Sequence, residues 1–382
     1  HRVVRVRLPA HTGDSTVRNL RAGLSGGRLD AGSKACQGVQ PEVSDAMTDW
    51  NYDDIADRLE LWLDIDSTTG REAAYLGALE AYFDESGYRC RRQSVADERW
   101  TLLATRSRDP ALLFSTHVDT VPPYLGPRRS GDRVYGRGAC DTKGGLLAMC
   151  LAAETLVGEG LEDIGFLLVV GEEVDHIGAR TARSLDVSPE RVILCEPTRN
   201  RVVSAQKGML KFTLRSRGTA AHSAFPYRGE SALHRLLDTI SAIRATEWPI
   251  DELLGPTTVN VGTLSGGVAA NVIAPEAQAE VLFRAVSSVA PILAQVREQC
   301  VDGVEVSDAV YNDPVFFEPP DGIETCTVPF NTDATYLTEL GPIWLVGPGD
   351  IRVAHSDEEH IELPALAEGA ELYVDLAERV LS

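Results

Sequence analysis

Two apolar runs, Phe166–Val170 and Val192–Cys195, constrain the fold of this sequence most strongly. Neither run alternates with polar residues, which is typical of a strand that is buried on both faces of a sheet. A helical pattern over residues 144–157 precedes them, and shorter apolar runs lie near Leu102 and at 111–115. This alternation of strands and helices predicts an α/β fold with a central, mostly parallel sheet.

The pattern changes after about residue 204. From 204 to 315, apolar and polar residues alternate in the strands, and two helical segments separate them in the order strand, helix, strand, strand, helix, strand. This order predicts a small α+β domain of the ferredoxin-like type, inserted into the first domain. Residues 47–203 and 316–382 then form the first domain together.

Residues 1–46 carry several arginines and show neither helical nor strand periodicity, which predicts a disordered extension. Met47 is the first methionine, and an amphipathic helix with Ile55, Leu59 and Trp62 on one face follows it. We therefore expect the natural protein to begin at Met47. The alternative is an organelle transit peptide, because the segment is rich in arginine and poor in acids.

Charge and cysteine content exclude several classes of function. The 382 residues include 36 Lys+Arg and 57 Asp+Glu, giving a net charge of −21, which repels nucleic acid and anionic membranes. No apolar stretch is long enough to span a bilayer. The 7 cysteines have no CxxC spacing and indicate reduced thiols in the cytoplasm.

Polar residues that can bind metals follow the predicted strands. Each alone has an ordinary explanation, such as a surface ion pair or a solvated acidic face. At the rim of a buried strand, however, adjacent carboxylates are costly unless a cation compensates them. Carboxylates and imidazoles suit Zn²⁺, Mn²⁺ or Co²⁺, and two such ions can share one site. The candidates are His117, Asp119, Asp141, Glu172, Glu173, Glu196 and His355.

Six motifs in order make the sequence resemble a known enzyme family. The family comprises the cocatalytic metallopeptidases and deacylases that include acetylornithine deacetylase, succinyl-diaminopimelate desuccinylase, aminoacylase and carboxypeptidase G. The resemblance covers the chain from about residue 50 to its end. The motifs are Ser115–Pro122, Val134–Gly145, Gly171–Glu173, Cys195–Thr198, Gly218–Pro226 and Gly347–His355.

The resemblance implies a zinc-peptidase-like catalytic domain with two Zn²⁺ ions, for which Co²⁺ or Mn²⁺ can substitute. Asp141 would bridge the ions, with His117 and Glu196 on one and Glu173 and His355 on the other. A cis peptide would follow Asp141. Catalytic roles would fall to three further residues: Glu172 as general base, Asp119 as acceptor of the free ring N–H of His117, and His222 as donor to the oxyanion.

The resemblance also implies a substrate site and a homodimer. The inserted domain would act as a lid and dimerisation domain, and His222 would reach the site of the second subunit. Asn271 and Arg284 would bind the substrate's α-carboxylate, and Asn331 and Thr332 would line the pocket. Asn331 replaces the glycine usual in the desuccinylase, which disfavours succinyl-diaminopimelate as the substrate.

The region Gly347–His355 is most similar to deacetylases of acetylornithine, acetylcitrulline and acetyl-lysine. We therefore expect deacetylation of a small N-acyl amino acid in basic amino acid metabolism. Desuccinylases, dipeptidases and carboxypeptidases share the same metal ligands, so the ligands do not separate these activities. A catalytically inactive binding module is the non-enzymatic alternative, and metal content together with turnover would distinguish it.

Overall fold

The computed structural model describes residues 50–96 and 98–382. The described residues fall in one compact unit. The expectations for residues 1–46 lie outside the described part of the chain. Within that part, no helix is both long and apolar enough to cross a membrane.

Eight α-helices lie in the described ranges. The helix Gly144–Gly158 is buried over most of its length, whereas the others each bury one face. The helices are α1 Tyr52–Leu63, α2 Ala73–Glu85, α3 Gly144–Gly158, α4 Ile177–Ala182, α5 Ala232–Ala245, α6 Val289–Gln299, α7 Ala334–Leu337 and α8 Leu363–Leu381.

The strands form two large sheets and three small ones. Strand order is β1-β2-β6-β3-β7-β17 in the central sheet and β12-β13-β9-β14 in the second sheet. The strands are β1 Arg89–Ala96, β2 Arg99–Thr105, β3 Leu112–His117, β4 Arg128–Ser130, β5 Arg133–Tyr135, β6 Ile164–Val169, β7 Arg191–Leu194, β8 Val202–Gln206, β9 Gly208–Arg217, β10 Ile250–Asp251, β11 Gly255–Pro256, β12 Thr258–Gly266, β13 Glu276–Ala285, β14 Val304–Asn312, β15 Val315–Phe316, β16 Thr325–Val328, β17 Ile343–Leu345 and β18 His360–Glu362.

The central sheet confirms the prediction of a mostly parallel sheet. Strands β6, β3, β7 and β17 pair in parallel, and β1 and β2 add an antiparallel edge. Phe166 and Leu168 of β6 pack in a core with α1, α2, α3 and α8, while Leu167 and Val169 pack in a second core on the opposite face. Burial on both faces explains why this strand is apolar throughout.

The second sheet is antiparallel throughout and has the predicted ferredoxin-like order. Its central strand β9 alternates strictly: Leu210, Phe212 and Leu214 are buried against α5 and α6. The residues between them lie on the opposite face, which no helix of the described chain covers with an apolar core. That open face becomes important for the site.

The predicted apolar face of α1 is confirmed at Ile55 and Leu59, which are buried. Trp62 packs against the same core but is only partly buried, and the neighbouring Leu63 is fully buried instead. Leu63 lies four residues after Leu59 and therefore also satisfies the helical spacing.

Candidate metal centre

The carboxyl ends of three neighbouring parallel strands bring the candidate ligands to one edge of the central sheet. His117 is the last residue of β3 and pairs with Val169, the last residue of β6. Glu173 follows β6 within a few residues, and Glu196 follows β7. Since ligands bind beyond the carboxyl ends of strands in α/β sheets, this edge is the expected place for chemistry.

Asp141 reaches the same edge from the segment between β5 and α3. It lies in a short irregular helical turn, Ala139–Lys143, directly before α3. The peptide bond from Asp141 to Thr142 is cis, which confirms the feature implied by the resemblance. The Thr142 hydroxyl donates to the carbonyl oxygen of His117 at 3.0 Å and thereby joins this segment to the end of β3.

The two oxygens of Asp141 face two different histidines. Its Oδ1 lies 3.0 Å from His117 Nε2, and its Oδ2 lies 3.4 Å from His355 Nε2. Glu196 completes a cluster with the first pair, and Glu173, at 3.1 Å from His355 Nε2, completes a cluster with the second. The ligand atoms within each cluster lie within 4.8 Å of one another. This arrangement suits two divalent ions that share one carboxylate.

The chemistry of the donor atoms fits such ions. His117 Nδ1–H donates to the carbonyl oxygen of Asp119 at 2.9 Å, so its Nε2 lone pair faces the cluster. Glu196 is buried, and its Oε1 has no hydrogen-bond partner among the described residues. A buried carboxylate oxygen without a partner is costly, and a metal ion would supply the missing interaction.

The charges in the cluster give the same indication. Burial and the Asp141 carboxylate raise the pKa of Glu196 well above its ordinary value. Hydrogen bonds that His355 donates to Asp141 and Glu173 raise the pKa of His355 to about 10. The Glu196 carboxyl group and the His355 imidazole both retain protons here because negative charge is in excess, and divalent cations would relieve that excess.

The structure gives Asp119 a different contact from the expected one. Its carboxylate lies 3.7 Å from His117 Nδ1, which is too far for a hydrogen bond, and the ring N–H uses the Asp119 carbonyl oxygen instead. The carboxylate accepts hydrogen bonds from the backbone N–H groups of residues 171–173 at 2.8 to 3.4 Å and from the Thr69 hydroxyl at 2.8 Å. Asp119 therefore fixes the backbone of the loop that carries Glu172 and Glu173.

Glu359 holds the segment that carries Asp141 in a similar way. Its Oε1 accepts backbone N–H groups of Gly138, Cys140 and Asp141 at 2.9 to 3.2 Å. Its Oε2 accepts the guanidinium of Arg137 at 2.5 Å, and both side chains are almost fully buried. One ion pair thus determines the position of the shared metal-ligand candidate.

A buried histidine lies beside the proposed base. His176 Nδ1 donates to Asp333 Oδ1 at 2.9 Å and lies 3.7 Å from Glu172 Oε1. Burial lowers the pKa of His176, but the Asp333 carboxylate outweighs it and raises the pKa to about 9. Burial raises the pKa of Glu172 to about 8, against the opposing charges of His176 and His117. Glu172 is only partly buried, so its carboxylate is accessible from the cavity.

A cavity of about 780 Å³ joins the metal-ligand candidates to the open face of the second sheet. Glu172 and Arg284 both line it. Burial lowers the pKa of Arg284, and the negative charge of Glu172 opposes this decrease. A guanidinium therefore faces the proposed base across the cavity. Arg284 is half-buried, which suits an anion-binding side chain.

Two predicted substrate residues are engaged elsewhere. Thr332 is fully buried and donates to Gln206 Oε1 at 2.7 Å, so the structure does not bring it to the cavity where the expected contact with substrate would lie. Asn331 lines the cavity, but its amide accepts from Asn312 at 3.0 Å and donates to Thr335 at 3.0 Å. These bonds connect the loop to the end of β14.

The structure does not bring His222 and Asn271 to the cavity. Both are exposed and lie together, since Ser223 N–H donates to the carbonyl oxygen of Asn271 at 3.0 Å. His222 Nδ1 accepts a hydrogen bond from Ala224 N–H at 3.1 Å. Their predicted catalytic and binding roles therefore depend on a second copy of the chain.

Sequence reasoning missed three residues that shape the site. Arg137 had a signal, since a charged residue between two glycines of a motif is rarely buried without a partner. Glu359 had none, because it lies in the polar run 356–360. His176 had a weaker signal, because it follows Glu173 by three residues in a loop whose conformation the sequence does not reveal. Its backbone has φ 55°, a conformation that non-glycine residues seldom adopt.

Removing divalent ions with a chelator is expected to lower the thermal midpoint of unfolding by about 5 °C or more. An ion present at about 1,000 times its dissociation constant stabilises the folded chain by about 4 kcal/mol. Calorimetry on chelated and zinc-loaded protein measures the difference. The Asp141→Asn variant serves as control, because its midpoint should respond much less to zinc. Equal midpoints for the chelated and the loaded protein would contradict the metal centre.

Comparisons with known proteins agree with this geometry. The sequence profile described as "Peptidase family M20/M25/M40" matches residues 113–379. A peptidase M20 domain-containing protein of Schizosaccharomyces pombe is 34% identical over 81% of this chain and 81% of its own length. An Aspergillus oryzae protein named "Probable carboxypeptidase" is 33% identical over 76% of this chain and 77% of its own.

The fold also resembles solved structures. A tripeptidase from Staphylococcus aureus superimposes with a TM-score of 0.74 at 21% identity. The match covers 87% of this chain and 99% of the tripeptidase chain. At this level of identity the similarity establishes a shared fold.

Proposed function

Because this chain belongs to peptidase family M20/M25/M40, we propose that it hydrolyses the amide bond of N-acyl amino acids with a free α-carboxylate. The observation that carries the proposal is the single cavity in which Glu172 and Arg284 face the two metal-ligand clusters. A base, an anion-binding guanidinium and two metal sites are the groups that such a hydrolysis requires.

The ligand sets fit two Zn²⁺ ions, one held by His117, Asp141 and Glu196 and the other by Asp141, Glu173 and His355. Bound there, the ions supply Lewis acidity that activates water and polarises the amide carbonyl. Co²⁺ or Mn²⁺ suits the same oxygen and nitrogen donors.

The chain's own residues would bind the substrate and move its protons. Arg284 binds the α-carboxylate, which places the amide beside Glu172. Glu172 takes a proton from the attacking water as the new C–O bond forms. It then returns this proton to the amide nitrogen as the C–N bond breaks. Asp119, through its backbone hydrogen bonds, keeps Glu172 and Glu173 in position for these steps.

Two observations favour different substrates within this class. The similarity of Gly347–His355 to the deacetylases favours N-acetylornithine, N-acetylcitrulline or N-acetyl-lysine. The names of the Aspergillus relatives instead favour peptides cleaved at a free carboxyl terminus, as a carboxypeptidase does. Both reactions use the same base, metals and carboxylate-binding residue.

The proposal includes a second copy of the chain. Residues 204–315 would form a lid and dimerisation domain between the catalytic segments 47–203 and 316–382. The exposure of His222 supports a role across a dimer, in which it donates to the oxyanion of the other subunit. The unpaired state of the six described cysteines supports a cytoplasmic location.

Hydrolysis of a substrate panel by zinc-loaded protein tests the proposed function. The panel contains N-acetyl amino acids with basic, neutral and acidic side chains, N-succinyl-diaminopimelate and dipeptides. We expect turnover of substrates with a free α-carboxylate and a loss of at least about tenfold in kcat/KM for the corresponding α-amides, because Arg284 then loses its anionic partner. Protein that binds two metals but hydrolyses no panel member would refute the proposal.

A further inference from the structure

The open face of the second sheet presents an unusual pair of cations to the cavity. Strand alternation places Lys211 of β9 and Arg284 of β13 on this face. Lys211 pairs with Leu282, which precedes Arg284 by two residues, so the two cations are diagonal neighbours. Such neighbours have Cβ atoms about 7–8 Å apart, which is within reach of long side chains.

Neither cation has a partner within the described chain. No hydrogen bond or ion pair joins the side chain of Lys211 or Arg284 to another described residue. Arg215, on the same face of β9, differs because it forms an ion pair with Asp308 at 2.8 Å. Arg180 also lines the cavity without a side-chain partner among the described residues, but it lies on α4 and not on this face of the sheet.

None of the other acids around the cavity forms an ion pair with either cation, although Glu280 is also a diagonal neighbour of Lys211 on β13. Outside the metal-ligand clusters and the base, three acidic residues line it, and each has a different partner. Asp308 pairs with Arg215, Glu280 accepts the Thr263 hydroxyl at 3.2 Å, and Asp175 accepts the backbone N–H of Ile177 at 3.1 Å. In a chain of net charge −21, two neighbouring cations that form no ion pair with a carboxylate favour the binding of an anion.

We propose that Lys211 binds a second carboxylate of the substrate, so that the preferred substrates are dicarboxylic N-acyl amino acids. The inference rests on the proposed function, which assigns the α-carboxylate to Arg284 and thereby leaves Lys211 for another anion. The second carboxylate belongs either to the amino acid side chain, as in glutamate, or to a dicarboxylic acyl group, such as succinyl. A cationic side chain, as in ornithine, would meet repulsion from both residues.

Neutral isosteres separate the two sources of the carboxylate. Comparing the hydrolysis of N-acetylglutamate with that of N-acetylglutamine tests whether the second carboxylate lies on the amino acid side chain. Comparing N-succinylalanine with the amide of its succinyl group tests whether it lies on the acyl group. We expect the wild type to prefer the charged member of one pair by about 10- to 100-fold in kcat/KM, because a hydrogen bond to a charged group is lost in the amide. Turnover of the neutral members reports on the proposed function independently of Lys211.

The Lys211→Met variant should abolish the preference within that pair. The matched control is Arg217→Met, which removes a cation from the same face of β9 but outside the catalytic cavity and should retain the preference. Wild-type protein that hydrolyses both members of both pairs equally would overturn the inference and leave the proposed function intact. A preference that persists in Lys211→Met would also overturn it.

A binding measurement remains informative if the protein hydrolyses none of these compounds. Lys143 and Lys207 are buried, so Lys211 is the exposed lysine of the described chain and is open to an amine-acylating reagent. In the metal-loaded Glu172→Gln protein, the dicarboxylate of the preferred pair should slow acylation of Lys211, as measured by mass spectrometry of its peptide, and the amide should not. Equal acylation rates with the charged and neutral members of both pairs would overturn the inference.

Discussion

The Glu172→Gln variant is expected to lose about 10²- to 10⁴-fold in kcat, because a positioned general base contributes a rate factor of that size. Glutamine keeps the shape of the side chain and removes its ability to accept a proton at neutral pH. The backbone N–H of Glu172 still donates to Asp119, so the loop is expected to keep its conformation. Steady-state kinetics with the best panel substrate measure the loss.

Metal analysis and a neighbouring variant control this experiment. The Glu172→Gln protein should retain the wild-type metal content, since Glu172 is left outside both ligand sets. Asp175→Asn alters an exposed acid of the same loop and should change kcat by less than about threefold, as for most surface substitutions. If Glu172→Gln kept the wild-type kcat, another group would have to be the base. A loss of metal would instead identify Glu172 as a ligand.

The Glu359→Ala variant is expected to lower the free energy of unfolding by about 3–5 kcal/mol. The substitution leaves the guanidinium of Arg137 buried without its carboxylate, and breaking a buried ion pair from one side costs about that much. It also removes the acceptor of three backbone N–H groups in the segment that carries Asp141. Urea unfolding of the wild type and the variant measures the change.

The adjacent residue provides a matched control. Glu358 pairs with Arg128 at 3.1 Å on the surface, where its side chain is 76% exposed. Glu358→Ala should therefore change the free energy of unfolding by at most about 1 kcal/mol. Similar effects of the two substitutions would contradict the role given to the buried pair. If Glu359→Ala does not fold, Glu359→Gln keeps the acceptor oxygen and tests the loss of charge alone.

Residues whose surroundings follow from strand or helix periodicity were predictable from the sequence. The apolar run Phe166–Val170 predicted a strand that is buried on both faces of the sheet. Alternate residues of β6 indeed pack in two separate cores. The helical pattern over residues 144–157 is confirmed by α3, which spans Gly144–Gly158. By contrast, β1 lies at the edge of the sheet and carries several exposed arginines. Its sequence therefore shows no alternation of apolar and polar residues from which a strand could be predicted.

The same distinction applies to the site. Three ligand candidates, His117, Glu173 and Glu196, converge because strand ends determine their positions, which the apolar runs already indicate. Asp141 and His355 reach the same edge from segments outside these strands, and their roles came from the resemblance to the enzyme family. The bonds of Asp119 to three backbone N–H groups depend on the conformation of a loop, and loop conformation is not encoded in side-chain periodicity. The inward orientation of Thr332 was missed for the same reason. In the proposed dimer, the position of His222 relative to the cavity would depend on the second copy of the chain.

The order of the ligand candidates along the chain bears on how the metal centre assembles during synthesis. His117, Asp141, Glu173 and Glu196 all precede the second sheet, whereas His355 follows it. Domains generally fold as units. Glu359, which holds the segment that carries Asp141, also follows the second sheet, as do β17 of the central sheet and α8. We therefore expect ribosome-bound chains that end after β14 to lack both metal sites, and the two sites to form only upon completion of the chain.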